Sequence, residues 1–171
     1  MRRLKYGIAL LFALFLIVGF SLTALADSPN FHFANSSISS STGALTVSFK
    51  ETGLGTTVST EHVTLTVDTA TALYQCFNNG GNHPKAGNKE TVSTSLTTTG
   101  TFPVRNGQTT GDISAGPPSQ NANGPFACPS GQSLFLQSVT YSGIKVTGSA
   151  GDFLGATPDP ISSGPIHILI G

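Results

Sequence analysis

Apolar and polar residues alternate along this chain in short runs that turn-forming residues interrupt, and few folds accommodate that pattern. In residues 44–51, Leu45, Val47 and Phe49 share one parity while Thr46, Ser48 and Lys50 share the other. Successive side chains of a strand point to opposite faces, so this is the period of a half-buried strand. After the break at Gly53-Leu54-Gly55 the pattern resumes, with Val63, Leu65 and Val67 inward and His62, Thr64 and Thr66 outward. Asp68-Thr69 marks a turn or a bulge. Beyond it Ala72, Tyr74 and Cys76 share one face, and Leu73, Gln75 and Phe77 the other. No segment after residue 26 sustains a helical period. The expected fold is all-β, an immunoglobulin-like β-sandwich of about seven to nine strands, with a jelly roll or irregular barrel as alternatives. The chain has no Trp, so the antibody-type packing of Trp on a disulfide is absent.

The other strands are placed by the same pattern. Phe31 and Phe33 alternate around His32 as a first edge strand, and Val92, Leu96 and Phe102 share one parity of a Thr-rich strand over residues 91–102. Asn106-Gly107 is a hairpin turn leading into residues 108–115. Pro117-Pro118, Asn123-Gly124-Pro125 and Cys128-Pro129 make residues 116–131 a loop. Residues 133–141 form a strand with Leu134 and Leu136 on one face and Phe135, Val139 and Tyr141 on the other, continued by Ile144 and Val146 after Gly143. The closing run Ile166-His167-Ile168-Leu169-Ile170 is expected to be a final strand buried in the sandwich. Its alternative use is as a strand offered to a neighbouring subunit.

Arg2, Arg3 and Lys5 precede an apolar stretch over residues 8–20, and Ala24-Leu25-Ala26 has the small-x-small form of a cleavage site. Residues 1–26 are therefore expected to form a signal peptide helix cleaved before Asp27, leaving residues 27–171 as one domain. An uncleaved membrane anchor is the alternative, since residues 4–26 nearly suffice to span a bilayer. Cleavage removes three of eight basic residues and no acidic one, so the remaining charge is 5 − 8 = −3. Such a domain lacks the basic footprint of a nucleic-acid or anionic-membrane binder, and a secreted, extracellular location is expected. In an exported chain two cysteines default to a single disulfide, here Cys76 with Cys128.

The run Tyr74-Gln75-Cys76-Phe77-Asn78-Asn79-Gly80-Gly81-Asn82-His83-Pro84-Lys85-Ala86-Gly87-Asn88-Lys89 resembles one found in short exported proteins of unassigned function from actinobacteria and related soil bacteria. Their upstream Val-Ser-Phe-Lys-Glu strand is matched by residues 47–51. Their later Phe-x-Cys-Pro-x-Gly-Gln run is matched by residues 126–132, and the Ser-Val-x-Tyr strand by residues 138–141. The resemblance covers about residues 45–146 and implies export and a paired Cys76 and Cys128. It transfers no catalytic residue.

Residues 78–90 are rich in Asn, Gly and Pro and are expected to form a polar loop. His83, Lys85, Asn88 and Lys89, beside the 116–131 loop, are the candidate binding residues, because recognition commonly resides on loops held by a rigid scaffold. No metal site is expected: His32, His62, His83 and His167 are dispersed, and Glu61 and His62 point to opposite faces of a strand. Asp68, Asp112, Asp152 and Asp159 fall at expected turns, where Asp caps its own backbone. Gly53-Leu54-Gly55-Thr56-Thr57-Val58 lacks the third glycine of a dinucleotide loop, and no G-x-S-x-G elbow occurs. Tyr74 and Tyr141 have the parity of core residues, and without Trp the commonest sugar-stacking platform is missing. The expectation is a monomeric, non-enzymatic binding or structural module with no cofactor and an unidentified extracellular or cell-envelope partner. The alternatives are a small secreted hydrolase with a loop-assembled site and a surface-assembly subunit using its last strand.

Overall fold

The computed structural model describes residues 28–78 and 84–170. Among them there is no helix, and nine strands form: β1 (Asn30–Ile38), β2 (Leu45–Thr52), β3 (Thr60–Asn78), β4 (Pro84–Pro103), β5 (Gln108–Ala115), β6 (Gln132–Thr147), β7 (Phe153–Gly155), β8 (Ile161–Ser162) and β9 (Ile168–Ile170). β1-β2-β5 make one antiparallel sheet, and β4-β3-β6-β7 make the other, with β8 and β9 pairing further along β6. The sheets pack face to face as a sandwich, as the alternation requires. Leu45, Val47 and Phe49 of β2 share one core with Val63, Leu65 and Val67 of β3 and Val139, Tyr141, Ile144 and Val146 of β6. Each large side chain so buried contributes roughly 1.5–3 kcal/mol of transfer free energy.

Bulges set which residues reach that core, and they explain where simple alternation goes astray. In β3 the register against β4 shifts between Val67 and Ala70, so Asp68 and Thr69 are absorbed and Ala70, Ala72 and Tyr74 turn inward again. In β6 Leu73 pairs with Ser138 but Tyr74 pairs with Leu136, which leaves Gln137 as the extra residue. Leu136, Val139 and Tyr141 therefore all face the core, not opposite faces as the sequence predicts. A shift in β1 leaves Phe31 4% exposed but Phe33 39% exposed, so of the two aromatics flanking His32 only the first is buried. Phe31 meets Phe49 edge to face at 5.9 Å, and Phe49 meets Phe102 at 4.8 Å.

Asn106 and Gly107 turn the β4–β5 hairpin with φ of 52° and 70°. Positive φ at both central residues is what a type I′ turn demands. Two further expectations are corrected. Strand pairing begins at Pro84, with Gln75 opposite Lys89 and Tyr74 opposite Glu90, so the polar loop is shorter than residues 78–90. The last strand is not buried: Ile168 and Ile170 are half-buried against β6 while Leu169 is 60% exposed.

β3, β4 and β6 are long enough to overrun the three-stranded sheet, which stops at the Leu45–Ala115 pair. Their overhanging inner face would be bare if nothing replaced the missing strands. Residues 116–131, which carry no regular structure, lie against it and bring Pro118 and Phe126 inward.

Candidate functional site

The overhanging end is where the expected binding residues lie. Cys76, on the inner face of β3, is bonded to Cys128 with Cα atoms 5.6 Å apart. Tyr74 Oη, two residues back on the same face, donates to the Pro118 carbonyl at 2.5 Å. Asn123 Nδ2 donates to the Thr91 carbonyl at 3.3 Å, and within the loop Asn121 Oδ1 accepts from the Phe126 amide at 3.0 Å. A segment without strand pairing is thus fixed at both ends and in the middle. Burial raises the Tyr74 phenol above its usual value, so its proton stays available for this bond.

β4 separates the candidate residues rather than gathering them. Asn88 Nδ2 donates to Gln132 Oε1 at 2.9 Å, and Gln132 Nε2 donates to Asn78 Oδ1 at 3.1 Å, an amide chain across β4, β6 and β3. Lys89, next along the strand, points to the opposite face and is exposed. The backbone of Lys85 belongs to β4. His83 lies outside the described residues.

The outer face at this end holds an aromatic group that alternation alone did not single out. Phe135 stacks on His167 with centroids 3.9 Å apart, and Phe77 meets both rings edge to face, at 5.4 Å from Phe135 and 4.7 Å from His167. Gln137 Nε2 lies 3.0 Å from His167 Nδ1. Leu169, opposite Phe135 on β9, extends the group into solvent. The signal was present in the odd parity of Phe77 and Phe135, but the pairing of β9 with β6 depends on tertiary structure.

A second cluster occupies the other end of the long strands. Glu51 on β2 and Glu61 on β3 continue the inward parities of Leu45-Val47-Phe49 and Val63-Leu65-Val67, and both are buried. Asp152, in the turn between β6 and β7, joins them. Glu61 Oε1 accepts from the Ser149 amide at 2.5 Å, and the turn is closed by Gly148 N–H to the Asp152 carbonyl at 2.9 Å. Glu51 is 0% exposed, yet neither of its carboxylate oxygens nor either of Asp152's has a hydrogen-bond partner. Burial, then the charges of Asp152 and Glu61, push the Glu51 carboxyl from 4.5 up to about 8. Burial chiefly raises Asp152 as well.

This corrects the expectation that Asp152 is a solvated turn residue. Its own backbone amide still favours the charged form of Asp152, whereas Asp159 departs from self-capping: its oxygens accept from the Gly143 and Ile144 amides of β6 at 3.0 and 2.9 Å. Asp112 lies within β5 and accepts from Ser48 Oγ at 2.5 Å. His32 bonds to Thr52 and His62 to Thr101, each at 2.9 Å. Among the described residues no group of three or more His, Cys, Asp or Glu side chains is placed to hold a metal ion. No protein-family model matches the chain, and no curated protein or solved structure matches it either.

Proposed function

We propose that the chain is an exported, immunoglobulin-like sandwich module that binds a partner outside the cell or in its envelope, without catalysing a reaction. The observation that carries this reading is the disulfide-held end. There the Cys76–Cys128 bond and the Tyr74–Pro118 hydrogen bond fix a loop against the strands that present Lys89 and the Phe77–Phe135–His167 stack. A preorganised surface loses little entropy on binding, which favours recognition at such a place. A disulfide is at home in an oxidising compartment, which agrees with export.

The test has two stages. Mass spectrometry of the protein from its host, in supernatant and cell fractions, should find a species starting at Asp27 with no free thiol. That species should then bind the host's isolated envelope fraction or an extracellular component. Lys85→Glu with Lys89→Glu, or Phe135→Ala, should abolish that binding. Retention of all binding in these variants would remove the site, and an intact N-terminus confined to membranes would make the protein an anchored one.

A second reading is favoured by one observation. β9 pairs with β6 and leaves Leu169 60% exposed at the sheet margin, a surface that suits strand addition between copies. Concentration-dependent oligomers that vanish when residues 166–171 are removed would select it.

A further inference from the structure

Four carboxylate oxygens, on Glu51 and Asp152, are buried without any partner, although burying an unpaired charge is among the costliest arrangements a fold can contain. Both side chains converge on Gly148. A Cβ there would lie 2.7 Å from Asp152 Oδ1 and 2.8 Å from Glu51 Oε1, so the two oxygens are no further apart than those distances combined (2.7 + 2.8 Å). Glycine lets both carboxylates approach this position closely, since any side chain would collide with them. Glu61 brings a third carboxyl to this end, with one of its oxygens committed to the Ser149 amide.

We propose that Glu51 and Asp152 together bind a calcium ion in the cradle beside Gly148. The donors are hard oxygens, with no imidazole or thiolate among them, which favours an alkaline-earth cation over zinc or copper. Magnesium demands near-ideal octahedral geometry and gives up its water shell reluctantly, so two fixed carboxylates suit calcium's looser shell better. Two carboxylates are fewer than the six to eight oxygens calcium takes, so water reaching the site beside the exposed turn at Ser149, Ala150 and Gly151 completes the shell. Glu61 is a positioning residue: through the Ser149 amide it holds the turn that carries Asp152, and its charge deepens the local negative potential. Bound there, the ion ties β2 of one sheet to the β6–β7 turn of the other.

The experiment uses the disulfide-bonded protein recovered from its host and stripped with EGTA. At pH 7.5, calcium titrated by calorimetry is expected to bind at one site and to raise the melting temperature, with magnesium binding at least ~10-fold more weakly. Glu51→Gln, Asp152→Asn and Gly148→Ala are each expected to weaken calcium binding by about tenfold or more, since each removes a ligand charge or fills the cradle. Glu51→Gln is isosteric and neutral, and a metal-free melt at or above that of the parent shows that its loss of binding is not a loss of fold. The absence of any calcium-dependent heat or melting shift up to millimolar concentration would overturn the proposal, leaving a proton shared by the two carboxyls. Undiminished binding in both Glu51→Gln and Asp152→Asn would overturn it equally.

Discussion

Along β3 (Thr60–Asn78) Glu61 and Cys76 are separated by roughly 50 Å at the usual rise of a strand, and the sandwich closes differently at its two ends. At the Cys76 end a covalent bond holds the 116–131 loop over the overhanging strands, and polar groups there are paired: Tyr74 with Pro118, Asn88 with Gln132, Gln132 with Asn78. At the Glu61 end three acidic side chains meet and two of them have no hydrogen-bond partner. Closure at the first end does not depend on the pH or the ions around it. Closure at the second is conditional, because buried carboxyls must carry a proton or face a cation to be tolerated. One fold thus combines a permanent clasp with an environment-dependent one.

Breaking the clasp should have the largest effect. Cys76→Ser with Cys128→Ser is expected to cost about 2–5 kcal/mol in denaturant unfolding, the usual range for a native disulfide in a small exported domain. The bond encloses a span of 52 residues. Limited proteolysis should cut first within residues 116–131, which have no strand pairing to hold them. Unchanged stability in the double variant would mean that Tyr74, Asn123 and Phe126 fix the loop without help.

The opposite end should respond to pH with the next largest effect. The Glu51 carboxyl is raised in the folded protein from 4.5 to about 8, so the folded state binds its proton more tightly than the unfolded state does. The stability this contributes is complete below about pH 4.5, declines as the pH rises, and is gone above about pH 8. Metal-free protein should therefore be less stable at pH 8 than at pH 5, by on the order of 1–4 kcal/mol. Glu51→Gln should flatten that slope and leave the disulfide end's susceptibility to reductant unchanged. Equal slopes for parent and variant in melts across this range would assign the pH dependence to other groups.

The two ends were not equally legible in the sequence. The clasp could be read because two cysteines in a chain leave a single intramolecular pairing, and the Pro- and Gly-rich stretch before Cys128 could hardly be regular. Glu51 and Glu61 were legible in principle, since each extends the inward parity of its own strand. What the sequence could not show is that those strands belong to facing sheets, which brings the two acids together across the core. Asp152 was misplaced because a turn is normally solvated, whereas this turn folds back over the end of the sandwich. The bulges at Asp68-Thr69 and Gln137 had a similar effect. The first was marked by Asp before Thr. The second had no local signature, so the faces of Leu136 and Val139 were assigned apart although the bulge puts them together.

A smaller effect is expected midway between the ends. Tyr141 Oη donates to the Gly43 carbonyl at 2.8 Å inside the core, and burial keeps the phenol protonated. Tyr141→Phe retains the ring but leaves that carbonyl unpaired, at a cost of about 1–2 kcal/mol. Thermal melts should show this loss alike in oxidised and reduced protein and at pH 5 and pH 8, because neither clasp touches it. A loss that grew at one end's weakest condition would instead show that the core transmits strain to that end.

The smallest effect on stability should come from Lys89, and that is what makes it useful. Its side chain is exposed on the outer face of β4, across from Gln75, while Asn88 beside it is tied into the amide chain on the other face. Lys89→Glu should change unfolding free energy by no more than about 0.5 kcal/mol, as for most exposed substitutions. Asn88→Ala should cost about 1 kcal/mol by leaving Gln132 Oε1 without its donor. If Lys89→Glu also abolishes binding to the envelope fraction, recognition lies on the outer face with the aromatic stack. If Asn88→Ala abolishes it while Lys89→Glu does not, recognition lies on the loop side and the disulfide positions the contact surface itself.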